Sequence, residues 1–273
     1  GNKTKKINLT RIHMEEDAGK SIHDLDPFYS LIDLNRAGVP LLEIVSEPEI
    51  RSSKEAYAYL HEVRKLVRYL GISNGNMEEG SLRCDANISV RPEGSKKLRN
   101  RVEVKNINSI KNVMKAIDLE VARQINCYNT NSDVDQETRN YNAASNTTTV
   151  LRSKEEAHDY RYFPEPDLPP FIINEKLIEG IKKDMPTLPK ERYRQYTEKY
   201  KLSDYDAKLL TEEKELSDLF NKIIKHSKSY KTITNLMMGT MKSYLNENSI
   251  AITDIKINPK HLAELSEMID SNQ

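Results

Sequence analysis

Residues 13–20, His13-Met14-Glu15-Glu16-Asp17-Ala18-Gly19-Lys20, set three consecutive carboxylates between an imidazole and a Gly-Lys pair. Carboxylates packed this tightly repel one another, so they must be well solvated or neutralised by a cation. A hard divalent ion is one neutraliser. Carboxylate oxygens suit Mg²⁺ or Mn²⁺, and a site that leaves positions open to water or phosphate is suited to phosphoryl transfer. The other reading is an acidic turn facing water, which is the more frequent fate of an isolated charge cluster. A further carboxylate, Glu43, stands between Leu41-Leu42 and Ile44-Val45. There it is either buried and in need of a partner, or directed outward from a strand. Arg83, Asp85, Arg101 and Lys105 fall on the polar sides of two alternating segments, a mixture that could line an anionic-ligand cleft or a solvated sheet face.

The elements that must position these groups are readable from periodicity. Lys6–Ile12 alternates like a strand, and a polar connection covers residues 21–28. Two short apolar strands then flank the turn Asn35-Arg36-Ala37-Gly38, with Pro40 and Pro48 as boundaries. Ser52-Ser53-Lys54-Glu55 is a capping box. It opens an amphipathic helix carried by Ala56, Tyr59, Leu60, Val63, Leu66, Val67 and Leu70 and ending at Gly71. Ser81–Pro92 alternates as a half-buried strand of an antiparallel sheet, with Val102 and Val104 marking the next. A second helix begins at Asn108 or Ser109 and carries Ile110, Val113, Met114, Ile117, Val121 and Ile125. Thr138–Tyr141 and Thr147–Leu151 read as a hairpin. Asp159–Pro170 is rich in aromatics and prolines and reads as an extended segment that closes or joins domains. From Asn174 onward the pattern is helical, with Leu177, Ile178 and Ile181 as core candidates and apolar stripes over 209–224 and 234–245. Lys222, Lys225, His226, Lys228 and Lys231 form a basic cluster, either for RNA phosphates or as a solvated helix end.

Composition bounds the rest. The 273 residues are 37% hydrophobic and 31% charged with a net charge of zero, enough apolar content for one large or two ordinary globular domains. No run of about 18 apolar residues and no leader-like opening is present, so no membrane partner is expected. Two cysteines, Cys84 and Cys127, are too few for a disulfide framework or a zinc site and suggest a reducing compartment. Zero net charge argues against holding nucleic acid by charge alone while leaving room for a local basic face. The polar start at Gly1 suggests a piece of a longer protein.

Five ordered blocks are specific enough to point to a family. They are His13-Met-Glu-Glu-Asp-Ala-Gly-Lys20, Asp33-Leu-Asn-Arg-Ala-Gly-Val-Pro-Leu-Leu-Glu-Ile-Val-Ser-Glu-Pro48, Met77-Glu-Glu-Gly-Ser-Leu-Arg-Cys-Asp-Ala-Asn-Ile-Ser-Val90, Glu103-Val-Lys-Asn-Ile-Asn-Ser109 and Asp159-Tyr-Arg-Tyr-Phe-Pro-Glu-Pro-Asp167. Together they closely resemble the B subunits of tRNA-dependent amidotransferases (GatB). The resemblance implies an α+β fold. Residues 1–172 would form an antiparallel-sheet cradle domain related to glutamine synthetase and guanido kinases, and residues 173–273 a small all-α domain. The family's N-terminal strand, thought to supply further metal-site residues, and its C-terminal tail domain are both expected to be missing.

The resemblance also implies a chemistry, that of a carbon–nitrogen ligase with glutamine as amido donor. A carboxylate is a poor electrophile, so ATP first phosphorylates the side chain of Glu-tRNA(Gln), or of Asp-tRNA(Asn), and ammonia then displaces the phosphate. Such transfer relies on positioned Mg²⁺ rather than on a covalent nucleophile, in keeping with the absence of a P-loop or Ser/Cys nucleophile motif. Carried over residue by residue, Glu15, Glu16 and Glu43 are the catalytic carboxylates, with Glu16 and Glu43 as metal ligands. On this reading the apolar flanks of Glu43 bury it against the metal. Lys20, Arg83 and Lys105 stabilise phosphate charge. The implied partners are an amidase subunit (A) that delivers ammonia through a channel, a small bracing subunit (C) and the aminoacyl-tRNA. The implied location is the cytoplasm of a bacterium, or the mitochondrial matrix or a plastid of a eukaryote. The residues present are expected to support little turnover alone. Two other functions fit the same residues: a non-catalytic scaffold that presents tRNA, and a stand-alone carboxylate–amine ligase.

Overall fold

The structure is a computed structural model that describes residues 4–23, 25–153 and 172–273. The block Asp159–Asp167 and the extended segment expected around it lie outside the described residues. The chain divides into two compact units, Gly1–Ala56 and Tyr57–Gln273.

The first unit holds two antiparallel ribbons. β1 (Leu9–Glu16) pairs with β4 (Pro40–Ser46), and β2 (Lys20–Ile22) pairs with β3 (Leu31–Asp33). The expected turn between the apolar strands is present. Ala37 N–H donates to the Leu34 carbonyl at 3.0 Å and Val39 N–H to that of Arg36 at 3.2 Å, and Gly38 supplies the left-handed residue at φ 76°. The strands on either side of this turn pair with β2 and β1, not with each other.

α1 (Ser53–Leu70), whose residues from Tyr57 on belong to the second unit, begins on its capping residue, with Glu55 N–H donating to Ser52 Oγ at 3.2 Å. It ends where Gly71, at φ 71°, lets Gly71 and Ile72 N–H close back on the Arg68 and Val67 carbonyls. A sheet of β5 (Ala86–Ile88), β6 (Val102–Lys105), β7 (Glu137–Asn142) and β8 (Thr147–Ser153) follows, in that spatial order. The α+β class stands, but the sheet is mixed, not antiparallel as expected. β5–β6 and β7–β8 are antiparallel, whereas β6 and β7 run parallel, because α2 (Ile110–Asn129) carries the chain back between them.

α2 starts on Ser109, whose Oγ accepts from Asn112 N–H. Its Val113 and Ala116 pack against Ala86, Ile88, Val102, Val104 and Tyr141 on one sheet face. Beside this apolar core lies a buried polar network. Glu120 is fully buried and accepts from Arg123 Nη2 at 2.8 Å and from Gln124 Nε2 at 2.8 Å, with Arg139 at 3.8 Å. Gln124 in turn donates to the Ile88 carbonyl at 3.1 Å and accepts from Val90 N–H at 3.0 Å.

The helical part comprises α3 (Glu175–Asp184), α4 (Pro189–Arg194), α5 (Asp204–Leu210), α6 (Lys214–Ile223), α7 (Tyr230–Leu236), α8 (Lys242–Glu247) and α9 (Pro259–Asp270). One wider-wound turn, Gln195–Lys199, follows α4, and another, Met237–Met241, joins α7 to α8. Leu210, Phe220, Ile223, Ile233 and Met237 close its core, with Tyr196 edge-on to Phe220 at 5.0 Å. The expectation that Leu177, Ile178 and Ile181 are core is corrected. α3 has an apolar side but buries none of its residues, because amphipathic spacing gives a helix a side to bury without supplying what covers it. α1 meets the helices at its C-terminal end. Tyr69 is buried and donates its hydroxyl to the Thr211 carbonyl at 3.0 Å, and the Arg192 guanidinium lies 5.3 Å over its ring.

Two stability outcomes follow. Glu120→Ala leaves Arg123 and Gln124 without their buried acceptor and should destabilise the chain by about 3 kcal/mol in chemical denaturation, with Glu120→Gln costing less. Burial of Asp206 works to raise its carboxyl pKa, but the hydrogen bonds from Lys231 and Ser203 outweigh it and hold the pKa below the usual range. Stability from this carboxylate is therefore present above the ordinary carboxylate pKa and lost as pH falls through the depressed one. Asp206→Asn should flatten the acid limb of a stability-against-pH curve.

Candidate functional site

The acidic stretch resolves into three separate roles. Asp17 directly follows β1, and its side chain is almost covered. Its Oδ2 lies 2.9 Å from Arg36 Nε, and its backbone bonds to Val39 and Gly38 across the turn. Its neutralising cation is thus a guanidinium of the neighbouring turn. Glu15 and Glu16 are exposed at the end of β1, in register with Leu41 and Pro40 of β4. Successive strand residues face opposite ways, and residues directly opposite share a face. Arg11, His13 and Glu15 therefore line one side of the ribbon with Leu41, Glu43 and Val45. Ile12, Met14 and Glu16 line the other with Pro40, Leu42 and Ile44.

Two sequence expectations are corrected by this register. Glu43 is not buried: its side chain is 44% exposed and its Oε2 lies 2.9 Å from Arg11 Nη2. Its apolar neighbours fail to cover it because a two-stranded ribbon has two open faces. Glu16 and Glu43, expected to share a metal, lie on opposite faces; Glu15, with His13 between, is the carboxylate on the Glu43 face. Among the described residues no group of three or more His, Cys, Asp or Glu side chains is placed to hold a metal ion. The donors of this ribbon do not fit a divalent site as they stand. Lys20, exposed on β2 opposite Asp33, makes no ion pair with Glu15, Glu16 or Glu43 among the described residues.

Arg83 and Lys105 belong to the second unit, and Lys105 lies on the sheet face opposite α2. Arg83 is exposed just before β5. Lys105 Nζ lies 2.7 Å from Asp85 Oδ2 and 3.6 Å from Glu103, which itself accepts from the Thr138 hydroxyl. Partial burial pulls the Lys105 ammonium down, but the bonds and charges of Asp85 and Glu103 outweigh it and raise its pKa. The expected polar face of cations and carboxylates is therefore present, with Lys105 already neutralised within it. The basic cluster near α6 and α7 is also partly engaged, since Lys231 Nζ bonds Asp206 at 2.6 Å.

A feature the sequence reading passed over lies at the C-terminal ends of the parallel strands. A cavity of about 320 Å³ is lined by Asn106, Asn108, Asn140 and Asn142, with Tyr141 and the Ala143-Ala144 turn. Asn106 holds a left-handed φ of 64°, which turns the chain from β6 toward α2. The available signal was the repeated Asn-x-Asn at 106–108 and 140–142.

The acid–base setting of Lys105 gives a direct check. Asp85→Asn removes its nearest anion while leaving its burial, so its Nζ titration, followed by NMR, should move to lower pH.

Residues 1–179 match the GatB/GatE catalytic domain, and residues 218–273 match the GatB domain. The chain is similar to the B subunit of the aspartyl/glutamyl-tRNA(Asn/Gln) amidotransferase of Thermodesulfovibrio yellowstonii, 50% identical over 266 residues that cover 97% of this chain and 56% of that protein. The protein of the same name from Oleidesulfovibrio alaskensis is 51% identical over 262 residues, covering 96% and 55%, and that of Acaryochloris marina is 47% identical over 273 residues, covering 98% and 55%. The chain spans a little over half the length of these curated relatives. No helix among the described residues is long and apolar enough to cross a membrane. With its catalytic-domain match covering residues 1–179, the chain belongs to the GatB/GatE family.

Proposed function

We propose that this chain is the activating part of a B-type subunit of a tRNA-dependent amidotransferase, a carbon–nitrogen ligase of protein synthesis. The observation that carries the reading is the family match across residues 1–179, which contains Glu15, Glu16, Lys20, Glu43, Arg83 and Lys105. The domain division at 172/173, with a cradle related to glutamine synthetase and guanido kinases before it, is part of the same proposal.

ATP donates its terminal phosphoryl group to the side-chain carboxylate of Glu-tRNA(Gln) or Asp-tRNA(Asn), giving an acyl phosphate and ADP. Ammonia attacks the acyl carbon, phosphate leaves with the C–O bond, and a proton is lost from nitrogen to give the amide. Ammonia comes from glutamine hydrolysed by an amidase partner (A), with a small third subunit (C) bracing a heterotrimer. Mg²⁺ would accompany ATP as its counter-ion. Glu15 and Glu43, beside His13 on one ribbon face, are the carboxylates suited to act together at the reacting centre, with Glu16 serving from the other face. Lys20, Arg83 and Lys105 offer positive charge to phosphate oxygens. Turnover belongs to the complete assembly. A second reading, a scaffold that presents tRNA without chemistry, is favoured by the pairing of Glu43 with Arg11 and of Asp17 with Arg36.

The two readings part in the reconstituted complex supplied with ATP, glutamine and Glu-tRNA(Gln) or Asp-tRNA(Asn). Glu15→Gln, Glu16→Gln and Glu43→Gln should each lower acyl-phosphate formation and tRNA amidation on the order of a hundredfold, with glutamine hydrolysis retained. Undiminished acyl-phosphate formation in all three would leave this chain a scaffold.

A further inference from the structure

The face of the β1–β4 ribbon that holds Glu43 needs a positive charge if it is to handle phosphate. Along β1 this face carries Arg11, His13 and Glu15, and along β4 Val45, Glu43 and Leu41. Its two carboxylates repel a phosphoryl group, so the permanent attraction comes from the Arg11 guanidinium, which stays protonated at any working pH. Lys105 is already met by Asp85 and Glu103, and Lys20 stands on β2 of the other ribbon. Arg11 Nη2 donates to Glu43 Oε2 at 2.9 Å, whereas Arg11 Nε and Nη1 make no hydrogen bond among the described residues. The Arg11 side chain is 45% exposed, which leaves those groups within reach of a ligand. The pair adds little to stability at this exposure; what it does is fix the plane of the guanidinium. The register of β1 against β4 also shifts between Leu9 and Arg11. A bulge of this kind re-aims side chains and is common beside active sites, and Thr10, the residue it adds, is tied off through its hydroxyl to Glu47 at 2.8 Å.

A planar guanidinium presents N–H groups in several directions, so one carboxylate can hold it while a second anion takes the donors left over. Phosphate suits those donors, because its oxygens accept from neighbouring N–H groups two at a time. We propose that Arg11 is a catalytic residue of the activating step, held in place by Glu43 and bonded, through the N–H groups that Glu43 leaves unused, to the terminal phosphoryl group of the nucleotide. The inference rests on the proposed amidotransferase reading for its substrate and adds a residue to it. In the transfer, the bond from the terminal phosphorus to the bridging oxygen breaks, and ADP leaves with its electron pair. A carboxylate oxygen of the aminoacyl side chain supplies the pair for the new P–O bond. Arg11 gives up no proton. It meets the negative charge on the peripheral phosphoryl oxygens while the two bonds exchange.

The test uses the full-length subunit in its assembled complex, comparing wild type with Arg11→Gln and, independently, with Arg11→Ala. The first keeps a donor for Glu43 and loses the cation; the second loses both. An ion pair this exposed adds little to stability, so both variants are expected to fold, which their melting temperatures check. Equilibrium binding is measured for ADP and for an ATP analogue whose terminal phosphate cannot be transferred. Acyl-phosphate formation is followed with ATP and Glu-tRNA(Gln) or Asp-tRNA(Asn). Both variants should raise the Kd of the analogue on the order of tenfold and leave that of ADP unchanged. They should lower acyl-phosphate formation on the order of a hundredfold, with glutamine hydrolysis retained. An analogue bound alike by wild type and Arg11→Gln overturns the inference and leaves Arg11 as the neutraliser of Glu43, as does an equal loss for the analogue and ADP. A wild-type complex that forms acyl phosphate while the variants bind the analogue normally fails the inference alone. One that binds the analogue through Arg11 but forms no acyl phosphate fails the proposed function alone.

Discussion

The second unit depends on one buried carboxylate, that of Glu120. An ionised side chain taken fully out of water is tolerated only when its charge and lone pairs are met, and here Arg123, Gln124 and the more distant Arg139 meet them. Two of these partners reach different seams. Gln124 fastens α2 to the strand end at Ile88 and Val90, and Arg139 extends from β7 to the Thr148 carbonyl and hydroxyl on β8. The helix that makes β6 and β7 parallel is thereby pinned to both flanks of the sheet. With one face occupied by α2 and its network, the cations, carboxylates and carboxamides are left on the other face. The cavity opens where that face runs out, at the end of the parallel pair, the usual place for ligands of strand–helix–strand units.

Charge in the first unit is organised by the same need at shorter range. Asp17 and Glu43 each take a guanidinium from within the unit, Arg36 and Arg11, whereas Glu15 and Glu16 remain open at the strand end. A run of three carboxylates is thus divided between an anchor that fixes the turn and two groups free to act.

The helices were legible because their signals are local. The capping box at Ser52–Glu55, the glycine at 71 and the cap at Ser109 are read within one turn of chain, and the structure places α1 and α2 on them. Alternation likewise gave the buried side of β5 and β6, with Ala86, Ile88, Val102 and Val104 inward. Alternation fixes a face but not a neighbour or a direction, so the parallel β6–β7 pair was not readable from 102–105 and 138–141. The same limit misled the reading of Glu43. Its hydrophobic flanks describe a strand, while burial depends on a covering layer that no local pattern specifies. The asparagine cavity was invisible for a related reason, since Asn106 and Asn140 meet only through the pairing that brings Lys105 and Asn140 into register.

α1 is, in mechanical terms, a rod. Leu60 on this helix packs in the sheet-side core, and Tyr69, nine positions on, is buried among the helices under Arg192 with its hydroxyl on Thr211. At about 1.5 Å per residue these anchors stand roughly 14 Å apart along its axis. A rod gripped at both ends transmits rotation. A load applied to the helical layer at Arg192 or Thr211 is thus delivered as torque to the back of the sheet, without passing through the chain that links the two in sequence.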